Sequence, residues 1–129
     1  MTTYLCTVGT SASQALVPSL PGGPRRLTAA LVAEIGGVEA AFNALWPEMA
    51  KFDHNNDHDL RARLSAEIHA LVRLGAQPGD RVRLLHSDTD DGEVCARLVQ
   101  AYLKRRMNLD DTGLDRVAGL QVDNAALFR

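Results

Sequence analysis

Two short apolar runs restrict what this chain can fold into. Tyr4-Leu5-Cys6-Thr7-Val8 gives out into the polar stretch Gly9-Thr10-Ser11-Ala12-Ser13-Gln14. Arg81-Val82-Arg83-Leu84-Leu85-His86 gives out into Ser87-Asp88-Thr89-Asp90-Asp91-Gly92. Each run has the length of a strand bounded by turn residues. After the second polar stretch, Cys95, Leu98, Val99, Tyr102 and Leu103 share one helical face. Strands alternating with helices imply βαβ crossovers. The expected fold is α/β, a Rossmann-like, mostly parallel sheet flanked by helices. In open sheets of this kind the ligand sits outside the carboxyl ends of the strands. The two polar loops should then face one crevice if their strands are neighbours, and form a site for a phosphate-bearing ligand.

The remaining segments fit the same plan. The breaker-rich stretch 18–24 reads as a loop. From Arg25, Leu27, Leu31 and Ile35 recur at helical spacing, followed by Val38, Phe42, Leu45 and Trp46. Gly36-Gly37 should break this helix in two. Residues 53–59 are polar and loop-like, with Asp57 or Asp59 able to cap the next helix. In that helix Leu60, Leu64, Ile68, Leu71 and Val72 form an apolar stripe. It is expected to end near Gly75, before the turn Pro78-Gly79-Asp80. Lys104-Arg105-Arg106 suits the C-terminal end of the following helix. A short third strand is expected at Met107-Asn108-Leu109, and a return segment at Gly119-Leu120-Gln121-Val122.

Composition sets outer limits. A length of 129 residues suits a single domain over 1–129, with 46% hydrophobic and 23% charged residues as in ordinary globular proteins. A net charge of −2 argues against a protein that coats double-stranded nucleic acid. Cys6 and Cys95 fall in apolar patterns and read as buried free thiols. No signal-peptide pattern and no apolar run of membrane-spanning length is seen, so a cytoplasmic protein with no membrane partner is expected.

Each polar loop carries usable chemistry. In the first, Gly9 lets a ligand approach the backbone closely. Thr10, Ser11, Ser13 and Gln14 can donate to phosphate oxygens or ribose hydroxyls. Composition alone leaves open a turn that only caps a helix. The second loop opens a helix, whose N-terminus attracts anions. Its Asp88, Asp90 and Asp91 would repel phosphate, and would instead cap the helix or hold ribose.

Four pieces, taken in order, resemble one family. They are Thr7-Val8-Gly9-Thr10-Ser11, Ser65-Ala66-Glu67-Ile68, Leu84-Leu85-His86-Ser87-Asp88-Thr89-Asp90-Asp91-Gly92 with Cys95-Ala96 behind it, and Gly119-Leu120-Gln121. Together they look like the CRISPR-associated Rossmann fold (CARF) domain across nearly the whole chain. The strand–SDTxxG–helix block is the most specific piece. The resemblance implies a homodimer that binds a cyclic oligoadenylate, made by a type III CRISPR complex, across its two-fold axis. The ligand residues it implies are Gly9, Thr10, Ser11, Ser13, Gln14, Ser87, Asp88, Thr89 and Gly92.

Some relatives of this kind, the ring nucleases, cleave the ligand without a metal or other cofactor. A ribose 2′-hydroxyl attacks the adjacent phosphate, and Ser11 is the implied catalytic residue here. The chain departs from the ring-nuclease pattern in having no Lys after Lys104; Arg105, Arg106 or Arg116 could substitute. Its short ending is expected to leave no room for an effector nuclease, so the chain is read as either a compact stand-alone protein or the sensor part of something larger. A ring nuclease with cyclic tetraadenylate as ligand is therefore the leading expectation. A non-catalytic sensor or sponge is the alternative, and an unrelated nucleotide-binding Rossmann-like protein a third.

Other patterns carry less. Arg63-x5-His69 has the spacing of an RNase motif in HEPN nucleases, yet it lies inside the Rossmann unit. Asp53-x-Asn55-x-Asp57 begins like a calcium loop, but His58 stands where glycine is needed and Leu64 where glutamate is needed. His54 and His58 lack a clear third zinc ligand. His86 is expected to be structural. There is no GxGxxG and no P-loop GK[ST], which removes NAD enzymes and P-loop ATPases.

Overall fold

Among the described residues three strands, β1 (Thr3–Thr7), β2 (Arg81–Ser87) and β3 (Asp111–Val117), form one parallel sheet in the order β1-β2-β3. The computed structural model describes residues 1–9, 28–49 and 66–118. Among these residues the helices are α1 (Ala29–Ile35), α2 (Val38–Met49), α3 (Ala66–Arg73) and α4 (Asp90–Met107). The strand order advances in one direction, so right-handed crossovers place successive connections on the same face. Burial along the strands agrees. Tyr4, Cys6, Val82, Leu84, His86, Thr112 and Leu114 are buried or half-buried on the helix side. Leu5 on the opposite face is 72% exposed. The core joins those strand residues to Leu31, Val32, Phe42, Ile68, Leu71, Leu98, Val99, Tyr102 and Leu103 from the helices. The α/β Rossmann-like class expected from the pattern is the class observed.

Local chemistry accounts for the element ends. Thr28 caps α1, its Oγ1 accepting from the Leu31 N–H at 3.2 Å. The break at Gly36-Gly37 is as expected, with φ of 120° and 110° that L side chains rarely adopt. The expected third strand at Met107-Asn108-Leu109 is not one. Met107 is the last residue of α4, and Asn108 ends the helix in the left-handed region at φ 55°. The Leu109 N–H then closes the turn on the Leu103 carbonyl at 3.0 Å. The strand begins at Asp111 instead. Its outward acids meet arginines of β2: Arg81 Nε donates to Asp111 at 3.0 Å, and Arg83 grips Asp115 with two bonds of 3.0 and 2.8 Å.

The amino ends of the strands are held by Asp80. Its two oxygens accept from the Thr2 and Gln77 N–H groups, each at 3.0 Å. These bonds, the one from Thr2 foremost, hold its carboxyl below the usual carboxylate range. A depressed native pKa stabilises the fold above the unfolded value near 4, and that contribution is lost as pH falls through the native value. Asp80→Asn should therefore flatten the acid limb of an unfolding-midpoint-versus-pH curve below about pH 4. An unchanged limb would show that Asp80 is not part of acid unfolding.

Candidate functional site

The loops of interest meet because β1 and β2 are parallel neighbours. Thr7 pairs with Leu85, and the Val8 N–H continues the ladder to the Leu85 carbonyl at 2.8 Å. Gly9 then stands beside the end of β2, and its N–H donates to Glu67 Oε1 at 3.0 Å. Thr10, Ser11, Ser13 and Gln14 lie outside the described residues. So do Arg63, residues 53–59 and the Gly119-Leu120-Gln121 segment.

The second polar stretch is only partly a loop. Ser87 is the last residue of β2, and Asp90, Asp91 and Gly92 are already the first turn of α4. The cause is Thr89, an N-cap in extended conformation whose Oγ1 accepts from the Gly92 N–H at 3.0 Å. The same hydroxyl lies 2.9 Å from Ser87 Oγ. Acidic residues in a first turn also suit the helix dipole. Gly92 is needed for space. A Cβ there would stand 3.0 Å from Thr89 Oγ1 and 3.3 Å from the Ser87 carbonyl, and would collide with Ser87 Oγ.

The acidic side chains have distinct partners. Asp91 accepts from the Ala29 N–H at 2.8 Å and so ties the start of α1 to the start of α4. Asp88, Asp90 and Glu93 converge on the Arg116 guanidinium at 3.3, 3.4 and 3.1 Å. Glu93 also meets Arg97 at 3.4 Å. The hydrogen bond to Asp88, above all, pushes the Arg116 pKa further up, so this side chain is a permanent cation. Of the three arginines able to stand in for the missing lysine, Arg116 lies at the carboxyl ends of the strands. Arg105 and Arg106 lie at the far end of α4, where Arg105 binds Glu39 at 2.8 Å and stacks 4.2 Å from the Phe42 ring centre. Arg116 cannot be placed from sequence because β3 does not read as a strand on its own.

Two other groups have quieter roles. His86 is 1% exposed and its Nδ1 lies 3.0 Å from the Ser87 carbonyl, a structural position. Cys95 is buried as expected, whereas Cys6 is half-buried; burial, with Glu67 second, pushes the Cys6 thiol up to about 11, so it is no nucleophile at neutral pH. Among the described residues no group of three or more His, Cys, Asp or Glu could hold a metal. No described helix is long and apolar enough to cross a membrane.

The arrangement offers a rim of hydroxyls (Ser87, Thr89), a glycine edge (Gly9) and one guanidinium already engaged by carboxylates. Such a rim can hydrogen-bond sugar hydroxyls and meet one phosphate through Arg116. Comparison with known proteins adds a family. Residues 62–128, just over half of the chain, match the model of a CRISPR-associated protein family, Cas_APE2256. No curated protein matches the chain significantly.

Proposed function

The chain belongs to the CRISPR-associated protein family Cas_APE2256, and on that premise we propose that it binds a cyclic oligoadenylate, cyclic tetraadenylate by default, at the interface of a homodimer. We propose further that it cleaves the ring without a metal and so switches off type III CRISPR signalling. The observation that carries the reading is the parallel β1–β2 pairing, which brings the chain after β1 and the chain after β2 to the same edge of the sheet. The family match spans α3, β2, α4 and β3, and with them the whole Ser87–Gly92 block. A ring with two-fold symmetry fits an isologous dimer, each protomer offering the same pair of loops.

In this mechanism a ribose 2′-oxygen forms a bond to the adjacent phosphorus while the bond to the 5′-oxygen breaks. The proton leaves the 2′-hydroxyl and ends on the 5′-oxygen, giving a linear product with a 2′,3′-cyclic phosphate. The protein orients the hydroxyl in line and stabilises the phosphorane. Ser11, from the resemblance, supplies that contact. Thr10, Ser13, Gln14 and Gly9 hold the backbone of the ring, and Ser87, Asp88, Thr89 and Gly92 hold sugar and base edges. Arg116 supplies positive charge. Arg116→Ala should weaken binding about tenfold, equivalent to about 1.4 kcal/mol. The unfolding midpoint should move little, since such part-exposed pairs contribute modestly. Unchanged affinity by titration calorimetry would remove Arg116 from the site.

Engagement of Arg116 by three carboxylates also favours a second reading, a sensor or sponge that holds the ring without cutting it. One experiment separates them. The purified protein is incubated with labelled cyclic tetra- and hexaadenylate, without metal, and products are resolved over time. Linear products with cyclic-phosphate ends support the nuclease. Intact ligand that co-migrates with the protein supports the sponge, and absence of binding contradicts both.

A further inference from the structure

Behind the end of β1 stands a carboxylate from another element. Glu67 lies in the first turn of α3, and only 8% of it is exposed. Its Oε1 accepts from the Gly9 N–H at 3.0 Å, across 58 positions of sequence. The last ladder bond between β1 and β2 is made by Val8. The chain is therefore gripped once more just after it leaves the sheet, by a side chain of α3. Burying a carboxylate is costly unless hydrogen bonds compensate it. Burial first, and Glu67 second, push the nearby Cys6 thiol up to about 11.

We propose that Glu67 is a positioning residue: through the Gly9 N–H it fixes the direction in which the first loop departs from β1. The role rests on reading that loop as the ligand loop. Gly9 has no side chain of its own, so its N–H is the group through which Glu67 can act on the chain at this point. A loop misdirected by about 1 Å can lose roughly a hundredfold in rate with little loss of binding.

The test compares Glu67→Ala with Glu67→Gln in the full chain, because glutamine keeps the Oε1 acceptor and the shape. Cleavage of cyclic tetraadenylate is resolved into kcat and KM, and amide exchange is followed at Gly9. The alanine variant should lose about tenfold or more in kcat, with KM within about threefold. Its Gly9 amide should exchange faster. The glutamine variant should recover both, which a general loss of stability would not do. If the alanine variant fails to fold, the glutamine variant decides alone: near-parental kcat with Gly9 protected supports the role, and a slow but folded enzyme overturns it. Should the parent bind without cleaving, the same comparison is made on its dissociation constant. An alanine variant that matches the parent overturns the role of Glu67 alone. A parent that neither binds nor cleaves overturns the functional reading, and with it the role.

Discussion

Gly92→Ala is expected to weaken cyclic oligoadenylate binding about tenfold or more while leaving the protein folded. In an ordinary helix position the change would stabilise by about 1 kcal/mol, because alanine is the better helix former. Here the new methyl collides with Ser87 Oγ and stands 3.0 Å from Thr89 Oγ1. Ser87 must rotate away, which breaks its 2.9 Å contact with Thr89. Thr89 must also yield, which weakens a helix cap worth about 1 kcal/mol. The gain and loss nearly cancel in stability, so the unfolding midpoint should shift by only a few degrees. The hydroxyls proposed to face the ligand would have moved, and affinity should fall. Gly113→Ala is the matched control. Its methyl meets the far end of Arg83, which can swing off Asp115 on the open face of the sheet, away from the rim. Binding should then be unchanged. Equal affinities of Gly92→Ala and the parent, by titration calorimetry, would take the Ser87–Thr89 edge out of the site.

The second large effect is on chemistry. Ser11→Ala should slow ring cleavage about a hundredfold, the usual loss when one donor to a developing oxyanion is removed. Binding should weaken only by the worth of one neutral hydrogen bond, about 1 kcal/mol. Single-turnover rates with protein in excess separate the two quantities. A rate equal to the parent's would exclude Ser11 from the mechanism.

Much of the fold is legible in the sequence because its hydrophobic periods are strong. β2 alternates between Val82, Leu84 and His86 inside and Arg81 and Arg83 outside. The stripe of α4 and the Gly36-Gly37 break are equally plain. β3 is not legible, since Asp111-Thr112-Gly113-Leu114-Asp115-Arg116-Val117 is too polar to read as a strand alone. Its acids make sense only beside β2, where Arg81 and Arg83 neutralise them. Complementary charge, arginines two apart against aspartates four apart, is the signal that could have suggested the pairing. The strand–SDTxxG–helix block is plain in the sequence, but not that Thr89 draws Asp90, Asp91 and Gly92 into the helix. The contacts of Arg116 and Glu67 are hidden for a related reason. Each meets its partners across long sequence separations, Arg116 through the β2–β3 register and Glu67 through the packing of α3 against β1.

The ends of β1 and β2 are proposed to form one site for a cyclic oligoadenylate. The most direct test is titration of isotope-labelled protein with cyclic tetraadenylate while the backbone amides of Gly9 and Gly92 are observed together. Both resonances should shift over the same range of ligand concentration, saturating at one ring per two chains. Saturation with neither amide perturbed, or with only one of them, would contradict a shared site at these two strand ends.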